Sequence, residues 1–483
     1  MVKEIPFIVL CVLTLSLALL LKKFLSKSQT KNVPKGSLGY PIIGETFGFI
    51  KALRKDKGSE WIEERVSKYG PVFKTSIMGS PTVVIIGQQG NKFVLSSSDD
   101  VISAKKPPTF QKILGKQSLF ELTGSRHRLV KGEMLKFLKP ECLQNYVKKM
   151  DELVNTILLK ELQENKTIGV VRLMKKLSYD MACNILFDIK DEQTKEAMFE
   201  DFITAFKALH SLPITFPGTS FWRGQKARAR IVENIIPIMN KRREELSKGI
   251  LSSTNDMLSC LLAIRDENGQ PLEDDLITDN FIFLFIASYD TSATLITMMI
   301  WKLSRDPDVY NKVLEEQMEI LKQREGTEDR LTWREIQKMK YTWRVAQELM
   351  RMIPPAFGGF RKALKDTSYE GYDIPKGSTV YWASCGTHMD KDIFENPQEF
   401  DPSRFENQSK PIPPFSYLPF GAGVHNCIGN EFARVETLTT IHNFVKMYEW
   451  SQLNPEETIT RQPMPYPSLG LPIKIKQRCS NMS

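Results

Sequence analysis

No Cys-x-x-Cys pair occurs in the chain, although seven cysteines are present: Cys11, Cys142, Cys183, Cys260, Cys385, Cys427 and Cys479. An odd number without paired spacing excludes a disulfide framework and a zinc cluster. It fits a reducing compartment, with at most one thiol doing chemistry. There is no glycine-rich dinucleotide or flavin fingerprint, which excludes a fused reductase module. Internal repeats and low-complexity tracts are also absent. The net charge of +9 raises nucleic-acid binding as a reading. The basic residues are scattered, however, and none of the basic stretches is interleaved with base-stacking aromatics, so that reading is set aside. A mildly basic face suits anionic lipid or an acidic partner, and equally a plain solvated surface. Hydrophobic residues make up 41% and charged residues 25% of the 483, the balance of a globular protein with a sizeable core.

Acidic residues are missing altogether between Glu4 and Glu45. Within that gap, Ile5 to Leu21 is an apolar run whose only polar members are Thr14 and Ser16, followed by Lys22, Lys23, Lys27, Lys31 and Lys35. Its length is at the lower limit for spanning a bilayer. Lysines on the carboxyl side place the rest of the chain in the cytoplasm. A cleaved secretory signal fits less well, because its charge precedes the apolar run. Residues 1–24 are therefore expected to be a membrane anchor. Residues 25–45, with Pro34, Gly36, Gly39, Pro41 and Gly44, are expected to be a stiff basic linker that orients the body, residues 46–483, on the membrane.

The body reads as mainly α with small β-sheets. A hairpin is predicted from Val72–Met78 and Thr82–Ile86 around Gly79-Ser-Pro81. Helices are predicted over Asn145–Leu162, Met174–Leu186 and Ala227–Leu246, and strands return at Thr379–Ala383 and near Leu471–Ile475. Leu276–Leu303 is a long apolar helix with Asp290 and Thr291 near its middle. A charge there is expensive in lipid, so the helix is expected to be buried in protein. A buried Asp and Thr must be hydrogen-bonded or functional.

Pro419 to Gly429 is a glycine-rich loop that runs into a helix from about Asn430, whose Phe432, Val435, Leu438, Ile441 and Phe444 repeat at helical spacing. Cys427 thus stands at a helix amino terminus, where the dipole and free N–H groups favour a thiolate. A buried thiolate needs a metal or cation, and a single thiolate donor suits haem iron.

Phe420-x-x-Gly423-x-His425-x-Cys427-x-Gly429 resembles the haem-binding loop of cytochromes P-450. Glu348-x-x-Arg351 resembles that family's paired helix, and Phe400-Asp-Pro402-Ser-Arg404-Phe405 the segment whose arginine completes the network. Ala287-Ser288-x-Asp290-Thr291 is similar to the oxygen-activation motif, and His127-Arg-Leu-Val-Lys131 to the helix that meets the haem propionates.

The resemblance implies the cytochrome P-450 fold and haem b, with Cys427 as axial ligand of the iron. It implies cofactor contacts from His127, Lys131, Arg361, Phe420, Gly421, His425 and Gly429, and a structural network of Glu348, Arg351 and Arg404. Asp290 and Thr291 are expected to hold water over the iron and relay protons. Electrons would come from NADPH through a separate reductase at the endoplasmic reticulum membrane.

Pro354-Pro355-Ala-Phe-Gly358-Gly-Phe-Arg361 and Asn430 to Glu436 look like plant enzymes that oxidise terpenoids and sterol-like hormones, among them taxane hydroxylases and triterpenoid oxidases. The pocket wall is expected from Thr109–Leu119, Phe283–Ala287, Ala356–Phe360 and Ser468–Leu471, with Phe283, Ala287, Phe357 and Leu469 as its named members. Three residues depart from the family's usual pattern: His425 and Lys131 stand for arginines and Ser288 for glycine. Two alternatives remain open. One is rearrangement of fatty-acid hydroperoxides without a reductase; the other is a haem electron carrier or sensor.

Overall fold

Alternating apolar positions around a tight Gly79 turn pair Val72–Ile77 with Ser80–Ile85 as antiparallel strands. This computed structural model describes Thr14 and residues 32–478, leaving out 42, 105, 163–165, 325–328 and 407–410. The proposed anchor lies outside the described residues, Thr14 apart. What is described of the proline/glycine segment is docked rather than loose. Asn32 bonds Asp373 and Gly371, and Lys74 donates its N–H to the Lys35 carbonyl. A Cβ on Gly36 would fall 2.0 Å from the Lys74 oxygen, so only glycine allows that approach.

The hairpin opens a five-stranded sheet, in spatial order Val72–Ile77, Ser80–Ile85, Thr379–Ala383, Gly358–Ala363 and Ile102–Ser103. Distant parts of the sequence meet here, because Ser80–Ile85 pairs in parallel with Thr379–Ala383. The remaining sheets are small, and helices make up most of the body.

The helices pack around Asp274–Leu303, here called the central helix. Asp274 and Asp275 in its first turn and Lys302 in its last match the helix dipole. Its side chains are apolar almost all round, which suits a helix enclosed by others. Phe285 stacks on Phe187 with centroids 4.4 Å apart and on Phe202 at 4.7 Å. Each such buried ring contributes roughly 1.5–3 kcal/mol. Among the described residues it is the one helix long and apolar enough to cross a membrane, yet it is buried in protein, as the position of Asp290 demands.

The helix Asn430–Met447 follows the cysteine loop, and Phe432, Val435, Leu438, Ile441 and Phe444 are all buried in the main core. The predicted helix at Met174 begins earlier, at Val170, and closes on a π-turn at Ala182–Leu186. The helix predicted at Ala227–Leu246 spans Ser220–Ser247, capped by the Thr219 hydroxyl. The stretch after Thr109 is not a loop throughout: Pro108 starts a short helix to Leu114.

Candidate active site

Between Leu276 and Ile300 every residue of the central helix is buried except Ala287, Ser288 and Thr291. Spacings of one and four residues put these three on one helical face. A helix sealed everywhere else but accessible on one short face borders an internal cavity. Phe283, one turn earlier, packs its ring on Phe120 with centroids 4.6 Å apart. Of the two central-helix residues expected in the pocket wall, Ala287 is on the accessible face and Phe283 is buried.

The motif's acid and alcohol do not face the same way. The Thr291 hydroxyl, on the cavity face, donates to the Ala287 carbonyl at 2.6 Å. Asp290 is fully buried on another face, where its Oδ1 takes the Lys175 ammonium at 2.7 Å and the Tyr466 hydroxyl at 3.2 Å. Burial raises its carboxyl pKa above the usual range, against the pull of Lys175. Lys175 and Tyr466 were not marked by the sequence reading.

Cys427 is accessible at its surface, yet burial pushes its thiol above the ordinary value. A group both reachable and enclosed lines an internal cavity. The Gly429 N–H and the nearby Lys131 oppose that shift, so donors already favour the thiolate. The loop is held in shape by Cys427 N–H to Phe420 O at 2.9 Å and Gly421 N–H to Leu418 O at 3.1 Å. Gly421 and Gly423 have positive φ, and a Cβ on Gly423 would strike the Leu95 carbonyl at 2.0 Å. A Cβ on Gly421 would meet nothing within 4 Å, so the loop leaves open space at that point.

Around this loop lie cations with few acids to answer them. Arg361 is buried, its guanidinium meets only the Phe360 carbonyl at 3.3 Å among described contacts, and burial lowers it to about 10. Lys106 reaches the same carbonyl at 3.4 Å, and burial together with Arg361 drives its ammonium well below the ordinary value. His127 and His425 lie ring against ring at 4.3 Å, and His127 Nδ1 is buried without a partner. His425 Nε2 contacts Asp99 Oδ1 at 2.7 Å, and Glu121 Oε1 takes the Lys106 N–H at 3.4 Å. Burial lowers His127 to about 4. A set of nitrogen donors in which Arg361 lacks a carboxylate partner and His127 Nδ1 has none is what two propionates would satisfy. With the accessible thiol and the open space at Gly421, the residues present fit a haem.

Four expectations need correction. Lys131 gives its ammonium to the Val424 carbonyl and to the Asn426 carbonyl and side chain, the latter at 2.6 Å. It clamps the cysteine loop; Lys106, unmarked in the sequence reading, is the cation beside Arg361. Phe357 turns away from the cavity, toward Gly58, where an added Cβ would meet its ring at 2.9 Å, and beneath Arg461 at 5.7 Å. Leu469 is 64% exposed on the turn after the hairpin, held there by Glu457. That hairpin, Ile459–Arg461 with Pro465–Pro467, reaches the central helix through Tyr466 instead. Thr109, by contrast, is buried and gives its hydroxyl to the Leu209 carbonyl at 2.6 Å.

The supporting network closes as the sequence suggested. Arg351 donates to both Glu348 oxygens at 2.7 Å, and Arg404 Nε reaches Glu348 Oε1 at 3.2 Å. What the sequence did not reveal is the link onward. His388 Nδ1 contacts the Arg351 carbonyl at 3.1 Å, and its Nε2 accepts the Leu418 N–H at 2.8 Å. One buried imidazole thereby ties the Glu-x-x-Arg helix to the cysteine loop. That pattern sets the neutral tautomer with hydrogen on Nδ1.

Burial holds His388 near 4 and His442 near 3. Both lie below the unfolded value of about 6.5, so their stabilisation is complete above that pH and is lost as pH falls toward 4. At pH 5 the pair should cost about 4 kcal/mol. Thermal midpoints measured from pH 7.5 to 5 should drop steeply below 6.5. A His442→Asn variant should show a shallower slope; an identical slope would exclude this origin.

Three comparisons now place the geometry. The sequence profile described as Cytochrome P450 matches residues 34–478. The chain is 39% identical to a taxane 13-alpha-hydroxylase of Taxus cuspidata, over 94% of each chain. It is 36% identical to a beta-amyrin 28-monooxygenase of Barbarea vulgaris, over 98% of each. Among solved structures, a cyanobacterial CYP120A1 with bound retinoic acid superposes with a TM-score of 0.83 at 29% identity, covering 92% of this chain and 100% of that one.

Proposed function

Since the chain belongs to the cytochrome P450 family and is a monooxygenase of it, we propose that its substrate is a rigid hydrophobic plant terpenoid, a di- or triterpenoid or a sterol-like relative. The observation that carries this is the accessible face of the central helix, where apolar Ala287 stands beside the Thr291 hydroxyl, with the Phe283 ring packed one turn earlier. The relatives support it, since those named act on a taxane and on beta-amyrin. An apolar wall accepts such skeletons and discriminates poorly between near-isosteres, so pose decides which carbon is attacked.

Cys427 would hold the haem iron, with Phe420, Gly421 and Gly429 shaping the loop beneath it. Arg361, Lys106, His127 and His425 would meet its propionates. When bound, the haem supplies dioxygen binding and reductive O–O cleavage, which thiolate donation favours. One dioxygen, two electrons and two protons are consumed; one oxygen enters a C–H bond and the other leaves as water. Thr291 orients water on the cavity face, and Asp290 supplies protons toward it, recharged by Lys175, whose side chain is 20% exposed. The electrons come from NADPH through a separate flavoprotein reductase. Residues 1–24 anchor the chain in the endoplasmic reticulum membrane, 25–45 link, and 46–483 form the body on the cytoplasmic side.

The test is turnover by microsomes containing this protein and a plant reductase. The panel is a taxane-type diterpene, beta-amyrin, a sterol and a fatty-acid hydroperoxide, with and without NADPH, under labelled dioxygen. An NADPH-dependent terpenoid product carrying one labelled oxygen is expected. Conversion of the hydroperoxide alone, without NADPH, would overturn the reading in favour of rearrangement.

A further inference from the structure

The helix Glu192–Leu209 ends on His210, whose imidazole is exposed although Ala205, Phe206, Ala208 and Leu209 just before it are buried. Burial nevertheless lowers its pKa to about 4, and no charged group contributes to that shift. A ring that is reachable and enclosed at once faces an interior void. Among the described contacts its nitrogens have no hydrogen-bond or ion-pair partner. Its ring neighbours are Phe110, edge-on with centroids 5.1 Å apart, and Phe206 at 6.2 Å.

Three elements close round that void. On one side the helix Ser220–Ser247 comes so near that a Cβ on Gly224 would fall 2.1 Å from the Ala208 side chain. On the second, the short helix Pro108–Leu114 is tied to the same helix end by the Thr109 hydroxyl on the Leu209 carbonyl, which sets Phe110 against His210. On the third is the central helix: Phe206, one turn before His210, meets the Tyr289 ring at 6.4 Å, and Tyr289 adjoins Ser288 of the accessible face. The chain runs on from Phe110 to Phe120, which is 37% exposed and rests on Phe283. Segment 110–120 therefore bridges from His210 to the turn before Ala287. The void at His210 and the accessible face of the central helix share these walls.

A neutral imidazole has one N–H to give and one lone pair to accept with. It carries no charge to pair with a carboxylate. One placed polar group in an apolar cavity orients the ligand, and a ligand without a matching group leaves it unpaired and is rejected. We propose that His210 is a specificity-determining residue: a neutral oxygen function already on the terpenoid skeleton hydrogen-bonds its imidazole and fixes the pose offered to the Thr291 face. This rests on the terpenoid reading above. The substrate is then an alcohol or ketone rather than a bare hydrocarbon. The reaction that supplies it is one that leaves such an oxygen on the rings.

The full-length, haem-loaded protein tests this by equilibrium binding, read from the Soret shift. The probes are an alcohol, its ketone and its deoxy hydrocarbon, each on the beta-amyrin, sterol and taxane-type skeletons. On the skeleton that binds best, wild type should hold the alcohol about tenfold more tightly than the hydrocarbon, the factor set by leaving a buried polar group unpaired. A ketone held as tightly as the alcohol makes the imidazole the donor; a ketone held like the hydrocarbon makes it the acceptor. His210→Phe keeps a flat ring against Phe110 and removes both nitrogens, so it should bind all three alike. His210→Gln keeps a donor and an acceptor and should restore the preference in part. With a plant reductase, His210→Phe should also spread oxidation of the alcohol over more than one carbon, which a mere loss of stability does not do. A wild type without the preference, or a preference that survives in His210→Phe, overturns the proposal and leaves the terpenoid reading standing. Failure of every skeleton to bind wild type defeats the terpenoid reading, and the role of His210 with it.

Discussion

Cys427→Ala is expected to lose all NADPH-dependent turnover, and the reduced protein under carbon monoxide should no longer show the red-shifted band of a thiolate-ligated haem. The reason is local. Cys427 is the accessible thiol of a glycine-rich loop at a helix amino terminus, and the Gly429 N–H already favours its anionic form. Burial alone would keep it protonated, so the thiolate becomes stable only with a metal beside it. Serine in its place offers a harder oxygen that donates less charge, so Cys427→Ser should bind haem but lack the band. Cys142, half-buried with its sulfur on the Lys136 carbonyl, serves as the control. Cys142→Ala should leave spectrum and turnover unchanged. A Cys427→Ala protein with normal haem content and the same band would overturn the assignment. A six-coordinate carrier would not bind carbon monoxide in the wild type at all.

Local chemistry explains which parts of this fold were legible. The hairpin at Gly79, the helix after Cys427 and the central helix each announce themselves by periodicity, turn residues or an uninterrupted apolar run. Glu348 and Arg351 are three apart on one helix, so their pairing needs no tertiary knowledge. Arg404 joins them from 53 residues beyond Arg351, and only the resemblance to a known family suggested it.

The illegible parts depend on contacts between distant segments. Lys106 and Arg361 are separated by half the chain, and nothing in either neighbourhood says that both turn toward one buried edge. Lys131 has the right helix for a propionate, but the carbonyls of Val424 and Asn426 lie within its reach and take it. Leu469 failed for a similar reason: the strand-turn pattern near Gly470 is visible, whereas which end of a hairpin enters the core is a tertiary fact. His388 is a lone histidine after a strand, without any motif, and becomes meaningful only when the Leu418 N–H is seen to end on it. Tyr466 is hidden in the same way.

Those buried links give the second large effect. Arg351→Met should destabilise the protein by about 3–5 kcal/mol, because it strands Glu348 in a wholly interior site. The loss removes two bonds at 2.7 Å and leaves Glu348 Oε1 with Arg404 at 3.2 Å and the Asp401 N–H at 3.0 Å, while Oε2 has nothing. It also frees the His388 carbonyl, bonded at 2.8 Å, and so loosens the imidazole that holds Leu418. The cysteine loop starts one residue later, so haem retention should fall together with stability. Arg351→Lys keeps the charge but cannot reach both Glu348 oxygens and the His388 and Glu399 carbonyls at once, and should fall between the wild type and Arg351→Met. Glu348→Leu with Arg351→Met removes the charge pair together and should be less damaging than Arg351→Met alone, since Arg404 is partly exposed and can be rehydrated. Urea midpoints and haem content of the three variants decide it. A double variant worse than the single would mean that the pair stabilises by its own attraction, and that an uncompensated buried charge is not the dominant cost.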